Sequence, residues 1–301
     1  MTSTLRHISF RRIGTSEVHQ RFLDDDRDLG RFLGMRARTV AELLRRAPTG
    51  AGRLLSREKL AKSLRAYAEK HGAPAQVIAN ADALTDPNVH VVVTGQQPGL
   101  MGGPLFTFHK VATAIQLCRR INAVPDGPRV VPLYWNHSDD HDLDDANRLF
   151  LVNQAQEVQR FRLDLERTNE PLRTIGVGRE LERLLAELDP LLPQSEHRDW
   201  ALATCKPRHP DETLGDQQAR ILFEVFGRHG LLMIEPRDLP DEAFDPLLRW
   251  WGKSNEVREH VRQTTDELTD VGVDITLDPS ATMMFELTGG QREPLADGEV
   301  A

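Results

Sequence analysis

Short, nearly all-apolar runs alternate along this chain with segments in which apolar residues recur every three or four positions. The run at residues 89–93 is typical of a strand covered on both faces, and the runs at 130–135 and 231–234 also predict strands. Between the first two runs, apolar residues from Phe108 to Cys118 recur at helical spacing, and two arginines follow where a helix C-terminus favours positive charge. Strand, helix and strand in this order predict a right-handed βαβ unit, and therefore an α/β fold with a parallel sheet.

The same periodicities predict further elements on both sides of this unit. One helix begins at Ser56, a residue type that favours a helix N-terminus, and ends at Gly72. The other predicted elements are helices within 17–67 and at 180–188, 213–226, 245–251 and 255–268, and short strands at 150–151, 158–165, 274–277 and 282–287.

Proline-rich segments border the 180–188 helix and separate it from the sheet pattern that resumes at Thr213. This change of pattern indicates an insertion into the α/β core. We therefore predict three regions: 1–154, with N-terminal helices and the first half of the core; 155–212, the insertion; and 213–301, the second half of the core.

Composition narrows the class of protein. Hydrophobic residues make up 39% and charged residues 28%, an ordinary globular balance. The net charge of −8 provides no field that would gather nucleic acid or anionic lipid. No apolar run approaches the roughly 18 residues of a membrane span, and the N-terminus lacks a signal peptide's hydrophobic stretch. We expect a cytoplasmic protein without nucleic-acid or membrane partners, in which Cys118 and Cys205 are reduced.

A glycine-rich loop, residues 94–107, joins the first strand to its helix. Its glycines allow backbone N–H groups to turn toward a ligand at the helix N-terminus, where an anion is favoured. Gln96 and Gln97 offer donors and acceptors, and His109 and Lys110 could reach an anionic ligand. The spacing is neither GxGxxG nor a Walker motif. A purely structural turn is the alternative, but the glutamines and the lysine favour a phosphate or carboxylate site.

An acidic segment, residues 136–145, follows the second strand and contains five aspartates and two histidines. Ligands of open α/β sheets bind beyond the carboxyl ends of the strands, which is where this segment lies. The aspartates could favour the positive end of a helix dipole, or hold Mg²⁺ through water. No HExxH spacing is present, so we expect no structural metal. Acid, base or polar-ligand roles for Asp140, His141 and Asp142 account for the segment best.

Two strings of residues resemble a known family. VVVTGQQPGLMGGPLFTFHK (91–110) and VPLYWNHSDDHDLDDAN (131–147) are similar to the cysteine-adding enzymes of bacillithiol biosynthesis, also called cysteine ligases. The family pattern is TGQQ-x-GL-x-x-GPL, a nearby lysine, and a PVFW-like strand that leads to (E/D)DHD. The flanking similarity extends from Phe22 through 231–236 to Arg292, so the resemblance spans nearly the whole chain.

The resemblance implies a Rossmann-like core similar to class I aminoacyl-tRNA synthetases, with a connective-peptide insertion. It also implies a ligase that joins L-cysteine to glucosaminyl malate by an amide bond, with ATP and Mg²⁺ for activation. Members usually continue into a coiled coil that pairs subunits. Because this sequence stops at Ala301, we expect the coiled coil to be absent, which leaves the family's homodimer in question. The HxGH signature of class I synthetases is also missing.

The matched positions give the predicted site residues. The residues expected to hold the nucleotide are Thr94, Gly95, Gln96, Gln97, Gly99, Gly103, His109 and Lys110. Those expected to contact substrate are Trp135, Asn136 and Asp139, and those expected to act in catalysis are Asp140, His141 and Asp142. Two alternatives stay open. A truncated core could bind a nucleotide or sugar-malate ligand without catalysis, or the acidic segment could hold a metal in a nucleotide-dependent hydrolase.

Overall fold

The computed structural model describes residues 10–34, 36–46, 55–166, 169–273, 278, 280 and 284–295. The helices are α1 (Glu17–Leu23), α2 (Arg27–Leu33), α3 (Val40–Arg46), α4 (Arg57–Lys70), α5 (Ala75–Ala83), α6 (Leu105–Asn122), α7 (Leu143–Ala146), α8 (Gly178–Leu188), α9 (Arg198–Cys205), α10 (Leu214–Phe226), α11 (Asp245–Trp251) and α12 (Ser254–Asp270). The strands are β1 (Val89–Gln96), β2 (Arg129–Asn136), β3 (Leu149–Val152), β4 (Val158–Phe161), β5 (Leu232–Ile234), β6 (Phe285–Thr288) and β7 (Gln291–Pro294).

The chain forms two compact units. One consists of Met1–Ala51, Leu247–Met284 and Leu295–Ala301, and the other of Gly52–Pro246 and Phe285–Pro294. In the first unit, Arg21 of α1 pairs with Asp26 and donates to the carbonyl of Val271 at 2.8 Å, just beyond α12. The second unit contains the sheet and both predicted loops. The three regions predicted from the sequence were defined by changes of sequence pattern and not by contacts, and they stay a prediction.

The sheet of the second unit is parallel, in the order β1-β2-β5. β1 and β2 pair along their whole length, from Val89 opposite Arg129 to Gln96 opposite Asn136. The predicted βαβ unit and α/β class are therefore confirmed. β1 is not covered on both faces, however, because it is an edge strand: Val93 is 57% exposed. That part of the prediction is wrong for β1, whereas β2 is buried from Val130 to Tyr134.

Helices α4, α5, α6 and α10 pack against this sheet and form the main core. α4 starts at Ser56, whose hydroxyl caps the helix, and ends before Gly72, which has a φ of +70°. Its apolar face buries Leu64 completely, which stabilises the fold by about 1.5–3 kcal/mol. α10 begins with a capping box between Thr213 and Asp216. The capping box fixes the start of α10 at the carboxyl edge of the sheet, where Asn136 donates to Gly215 O, and α4 reaches the same edge with its C-terminal end.

A second apolar cluster lies beneath the two loops. The α8 face of Leu181, Leu184 and Leu188 packs there with Leu100 and Leu172. The antiparallel hairpin β3–β4 stops at Phe161, earlier than the predicted 158–165 strand. The chain leaves the hairpin because the Asn147 side chain takes both backbone hydrogen bonds of Leu163, at 2.8 and 2.9 Å. The two hydrogen bonds replace a strand partner.

The last predicted strands are only partly described. Residues 274–277 lie outside the described residues, as do 282 and 283, while 285–287 belong to β6, which pairs antiparallel with β7. Within the described part of the chain, no helix combines the length and the apolar character needed to cross a membrane.

Candidate functional site at the ends of the parallel strands

The two predicted loops meet because β1 and β2 are parallel and end at the same level. Gly95 lies opposite Trp135, and the backbone N–H of His137 donates to Gln96 O at 3.1 Å. A Cβ at Gly95 would lie 2.6 Å from the carbonyl oxygen of Trp135. Only glycine permits this close approach of the strand ends. The glycine-rich loop and the acidic segment therefore begin side by side.

Two other glycines shape the rest of the first loop. A Cβ at Gly99 would lie 2.8 Å from the Cα of Gly103, so the loop folds back on itself with backbone against backbone. Leu100 between them is fully buried, and the N–H of Met101 donates to Gln217 Oε1 at 3.0 Å. These contacts within the protein hold the loop in one conformation without a ligand.

Lys110 is brought back over the start of the same loop. Its ammonium group donates to Gln96 Oε1 at 2.9 Å and to Gly95 O at 3.3 Å, and lies 5.1 Å from the ring centre of Phe106. Gln96 in turn donates to Gln97. Among the described residues, the exposed His109 forms no side-chain hydrogen bond. Lys110 therefore contacts Gln96 directly and Gln97 through Gln96, whereas the His109 side chain takes no part in these hydrogen bonds.

The start of α6 has unused hydrogen-bonding capacity. The N-cap residue, Pro104, provides no side-chain cap. One turn later, Thr107 is completely buried, and its Oγ1 has no partner within the described residues. The uncapped N–H groups at this helix N-terminus are suited to an anionic ligand, whereas the buried hydroxyl of Thr107 is out of reach of one in this structure.

In the acidic segment, arginines compensate three aspartates. Asp139 forms an ion pair with Arg173, Asp144 lies 3.0 Å from Arg162, and Asp145 lies 3.3 Å from Arg148. Neighbouring segments therefore relieve the repulsion that the sequence suggested. Asp142 has a structural task as well, because its Oδ1 accepts the N–H of Asp145 and caps α7. Asp142 thus fits the helix-start alternative, and its catalytic role remains a prediction.

Asp140 and His141 remain close together without an arginine on the carboxylate. Asp140 Oδ1 accepts the N–H of Asp142 at 3.2 Å and lies 3.7 Å from His141 Nδ1. Arg292 Nη1 lies 3.1 Å from the same Nδ1. Because a guanidinium only donates, Nδ1 must accept, and the neutral imidazole then carries its hydrogen on Nε2.

The hairpin β6–β7 holds Arg292 in this place. The side-chain amide of Asn169 donates to Arg292 O at 2.7 Å, and the Arg292 N–H donates to Asn169 O at 3.2 Å. The backbone N–H of Asn169 donates to Gln291 Oε1 at 3.1 Å. The Arg292 guanidinium lies 3.9 Å from the ring centre of Phe285. Trp135, also predicted in the site, donates from its indole N–H to His137 Nδ1 at 3.2 Å.

Asn136 belongs to a buried polar network below the loops. Its Nδ2 donates to Gly215 O at 3.0 Å, Tyr67 Oη at 3.2 Å and Glu235 Oε1 at 3.4 Å. With no exposed surface in this structure, Asn136 holds the strand ends together. Its contact with substrate stays a prediction.

Sequence reasoning missed the centre of this network, Glu235. Its Oε2 accepts from Ser138 Oγ at 2.6 Å and from Arg237 Nε at 3.1 Å, and its Oε1 accepts from Tyr67 Oη at 3.0 Å. Burial raises the pKa of the Glu235 carboxyl above its ordinary range, while the donors oppose that rise. Burial and the Glu235 charge likewise raise the pKa of Tyr67. A signal was available, since Glu235 directly follows the third parallel strand.

Comparisons with known proteins agree with this architecture. The family model described as "Bacillithiol biosynthesis BshC, N-terminal Rossmann-like domain" matches residues 4–300. A protein of Natranaerobius thermophilus is 30% identical over 255 residues, which are 81% of this chain and 46% of the relative. One of Koribacter versatilis is 28% identical over 242 residues, 79% of this chain and 44% of the relative. Both are named "Putative cysteine ligase BshC". The matched residues cover less than half the length of each of these relatives. The predicted Rossmann-like core is confirmed.

Proposed function

The chain belongs to the BshC family of bacillithiol biosynthesis, and from this membership we propose that it is a ligase that joins L-cysteine to glucosaminyl malate through an amide bond. The family match across residues 4–300 carries the proposal. The meeting of the glycine-rich loop and the acidic segment at neighbouring strand ends supports it. The proposed reaction uses small soluble substrates and takes place in the cytoplasm.

The glycine-rich loop and the start of α6 form the proposed nucleotide site. The exposed ammonium of Lys110 and the uncapped helix start fit the phosphates of ATP. Mg²⁺ accompanies the nucleotide in this proposal. When bound, ATP supplies the leaving group that makes the cysteine carboxyl reactive. Lys110 then offsets negative charge that develops near the phosphates.

Asp140 and His141 divide the remaining chemistry. Asp140 is a carboxylate without an arginine partner in the described chain, and its side chain is 23% exposed, so it is suited to accept a proton from the attacking amine. His141 presents Nε2–H, because Arg292 occupies its other nitrogen. A donor placed there stabilises an oxygen on which negative charge develops. His141 therefore acts as a hydrogen-bond donor and Asp140 as the base.

A thiol and precursor profile tests the proposed function. The gene is deleted in its source strain, the strain is complemented with the 301-residue chain, and bacillithiol and glucosaminyl malate are measured by mass spectrometry. We expect bacillithiol to disappear on deletion, its precursor to accumulate, and the chain to restore the thiol. A profile that never changes on deletion contradicts the ligase.

The variant Lys110→Gln connects this outcome to the proposed nucleotide site. We expect it to weaken ATP binding by about tenfold or more in calorimetry, because one charge-assisted contact is lost. Arg120→Gln, an exposed arginine at the other end of α6, is the matched control. Normal ATP binding by Lys110→Gln argues against the site. ATP binding without restored thiol would favour the alternative of a non-catalytic binding module.

A further inference from the structure

A partly open cavity lies away from both predicted loops, between the end of α4, the segment 206–212 and α10. Its volume is about 150 Å³, enough for a small group and a few waters. Lys70, His71, Arg208, Glu212, Asp216 and Arg220 line it. No residue of the glycine-rich loop or of the acidic segment is among the residues that line this cavity.

Two buried polar atoms at this cavity lack partners within the described chain. Arg220 is 7% exposed; its Nε donates to Glu212 at 3.0 Å and its Nη1 to the carbonyl of Thr204, but Nη2 has no acceptor. His71 is 6% exposed, and its Nε2 has no hydrogen-bond partner, with Asp216 Oδ1 3.8 Å away. Leaving a buried donor unsatisfied is costly, so an acceptor at this position would stabilise the fold.

The charges that line the cavity leave a positive surplus. Glu212 is already occupied by Arg220 and by the backbone N–H of Arg208 at 2.6 Å. Asp216 is occupied by Lys70 at 3.1 Å and by the cap of α10. The Arg208 guanidinium donates only to the carbonyl of His71, at 3.4 Å, among the contacts of the described residues. Among the residues that line this cavity, one arginine charge therefore has no carboxylate partner, and Arg220 Nη2 has no acceptor.

A metal ion is the competing occupant. His71, Asp216 and Glu235 each offer an atom within 4.8 Å of the others. Lys70 already binds Asp216, however, and Arg237 binds Glu235 at 3.1 Å. A divalent cation would have to displace or repel both positive side chains. The electrostatics favour an anion over a cation.

We propose that the cavity between α4, segment 206–212 and α10 binds a small anionic group, a carboxylate or a phosphate, through Arg220, Arg208 and His71. The anion accepts hydrogen bonds from Arg220 Nη2 and from the Arg208 guanidinium. The neutral His71 donates a further hydrogen bond to the anion when its ring carries the hydrogen on Nε2. The bound group ties the end of α4 to the segment that precedes α10. This site is separate from the one under Proposed function.

Histidine-selective NMR tests the proposal on the whole chain. The protein is labelled with ¹³C at histidine Cε1, and the His71 signal is identified by its loss in His71→Gln. Sodium phosphate and sodium acetate are then titrated separately at pH 7.5 in a chloride buffer. We expect the His71 signal to shift saturably with at least one of them. Comparison of the two affinities distinguishes a phosphoryl ligand from a carboxylate ligand.

Variants decide whether the binding is built into the cavity. Because Arg208 is exposed, Arg208→Gln should fold normally and weaken binding of the anion by about tenfold. Arg183→Gln removes an exposed arginine of α8 that does not line the cavity, and should change nothing. Absence of a saturable shift, or an equal effect of both variants, would mean an adventitious ion only and overturn the proposal. A His71 shift with zinc chloride but not with the anions would overturn it in favour of a metal site.

Discussion

The contact between Arg292 and His141 illustrates how one neighbour sets the chemistry of a side chain. A histidine next to aspartates is usually considered a base, and the sequence left its part in catalysis open. Arg292 Nη1 at 3.1 Å from Nδ1 restricts the neutral ring to one tautomer, with the hydrogen on Nε2. In the proposed reaction, His141 is therefore a donor.

Replacement of His141 distinguishes a donor from a base. We expect His141→Ala to lower turnover by about 10²- to 10³-fold, the usual effect of losing a donor to a developing negative charge. His141→Gln keeps an N–H donor and should recover part of that loss, which it could not do for a base. Because the His141 ring is exposed, the unfolding free energies of both variants should lie within about 0.5 kcal/mol of the parent's. Steady-state kinetics with unchanged turnover in His141→Ala would exclude the role.

At the scale of elements, the junction of β1 and β2 determines whether the two loops can meet. The strand ends touch at Gly95, where a side chain would collide with the backbone and Cβ of Trp135. The acidic segment is held from its other side by the backbone of residues 172–173, whose N–H groups donate to Asp140 O and Ser138 O at 2.8 and 3.0 Å. Strand pairing and this second contact together hold the start of the acidic segment beside the end of β1.

The variant Gly95→Ala should separate these strand ends. Because the colliding atoms include backbone, the junction cannot adapt by rotating a side chain, and we expect a loss of about 1–3 kcal/mol in unfolding free energy. Urea denaturation measures it. Gly252→Ala is the control, since a Cβ there would meet its nearest neighbours at 3.6 Å. Equal stability of the two variants would show that the strand ends are not tightly packed at Gly95.

For the molecule as a whole, the most consequential buried base is His71. Burial lowers the pKa of its imidazole to about 4, and the positive charge of Lys70 adds to this effect, while Asp216 opposes it. Arg208 and Arg237 also contribute positive charge around the ring. The folded chain therefore keeps His71 neutral at a pH where the unfolded chain, with an ordinary histidine pKa of 6.5, is protonated.

This difference makes global stability depend on pH in a defined window. Because the unfolded state binds the extra proton, stability is fully present above pH 6.5 and falls as the pH decreases toward 4. The full effect is about 3 kcal/mol at 1.36 kcal/mol per pKa unit. We expect the stability of the parent relative to His71→Gln, measured as the difference in unfolding free energy, to decrease as the pH falls from 6.5 to 4. His197→Gln, at a side chain that is 79% exposed, is the control and should leave the profile unchanged.

The local pattern of the sequence was sufficient for the βαβ unit and for the family. Apolar runs and helical spacing identified β1, β2, β5, α6 and α10, because periodicity records which face of an element is buried. The strings at 91–110 and 131–147 were sufficient to identify the family, which the match over residues 4–300 confirms. Weak or absent periodicity concealed α5, a helix with the sequence AQVIANADA, and α9.

Only the tertiary structure decided what surrounds the predicted residues. Tyr67, Ser138 and Glu235 come from three distant parts of the chain, and they meet because β2, β5 and α4 end at the same edge of the sheet. Arg173 and Arg292 likewise reach the acidic segment from outside it. A residue's neighbours along the chain determine its backbone conformation, whereas its partners depend on strand register and packing, which no local pattern records.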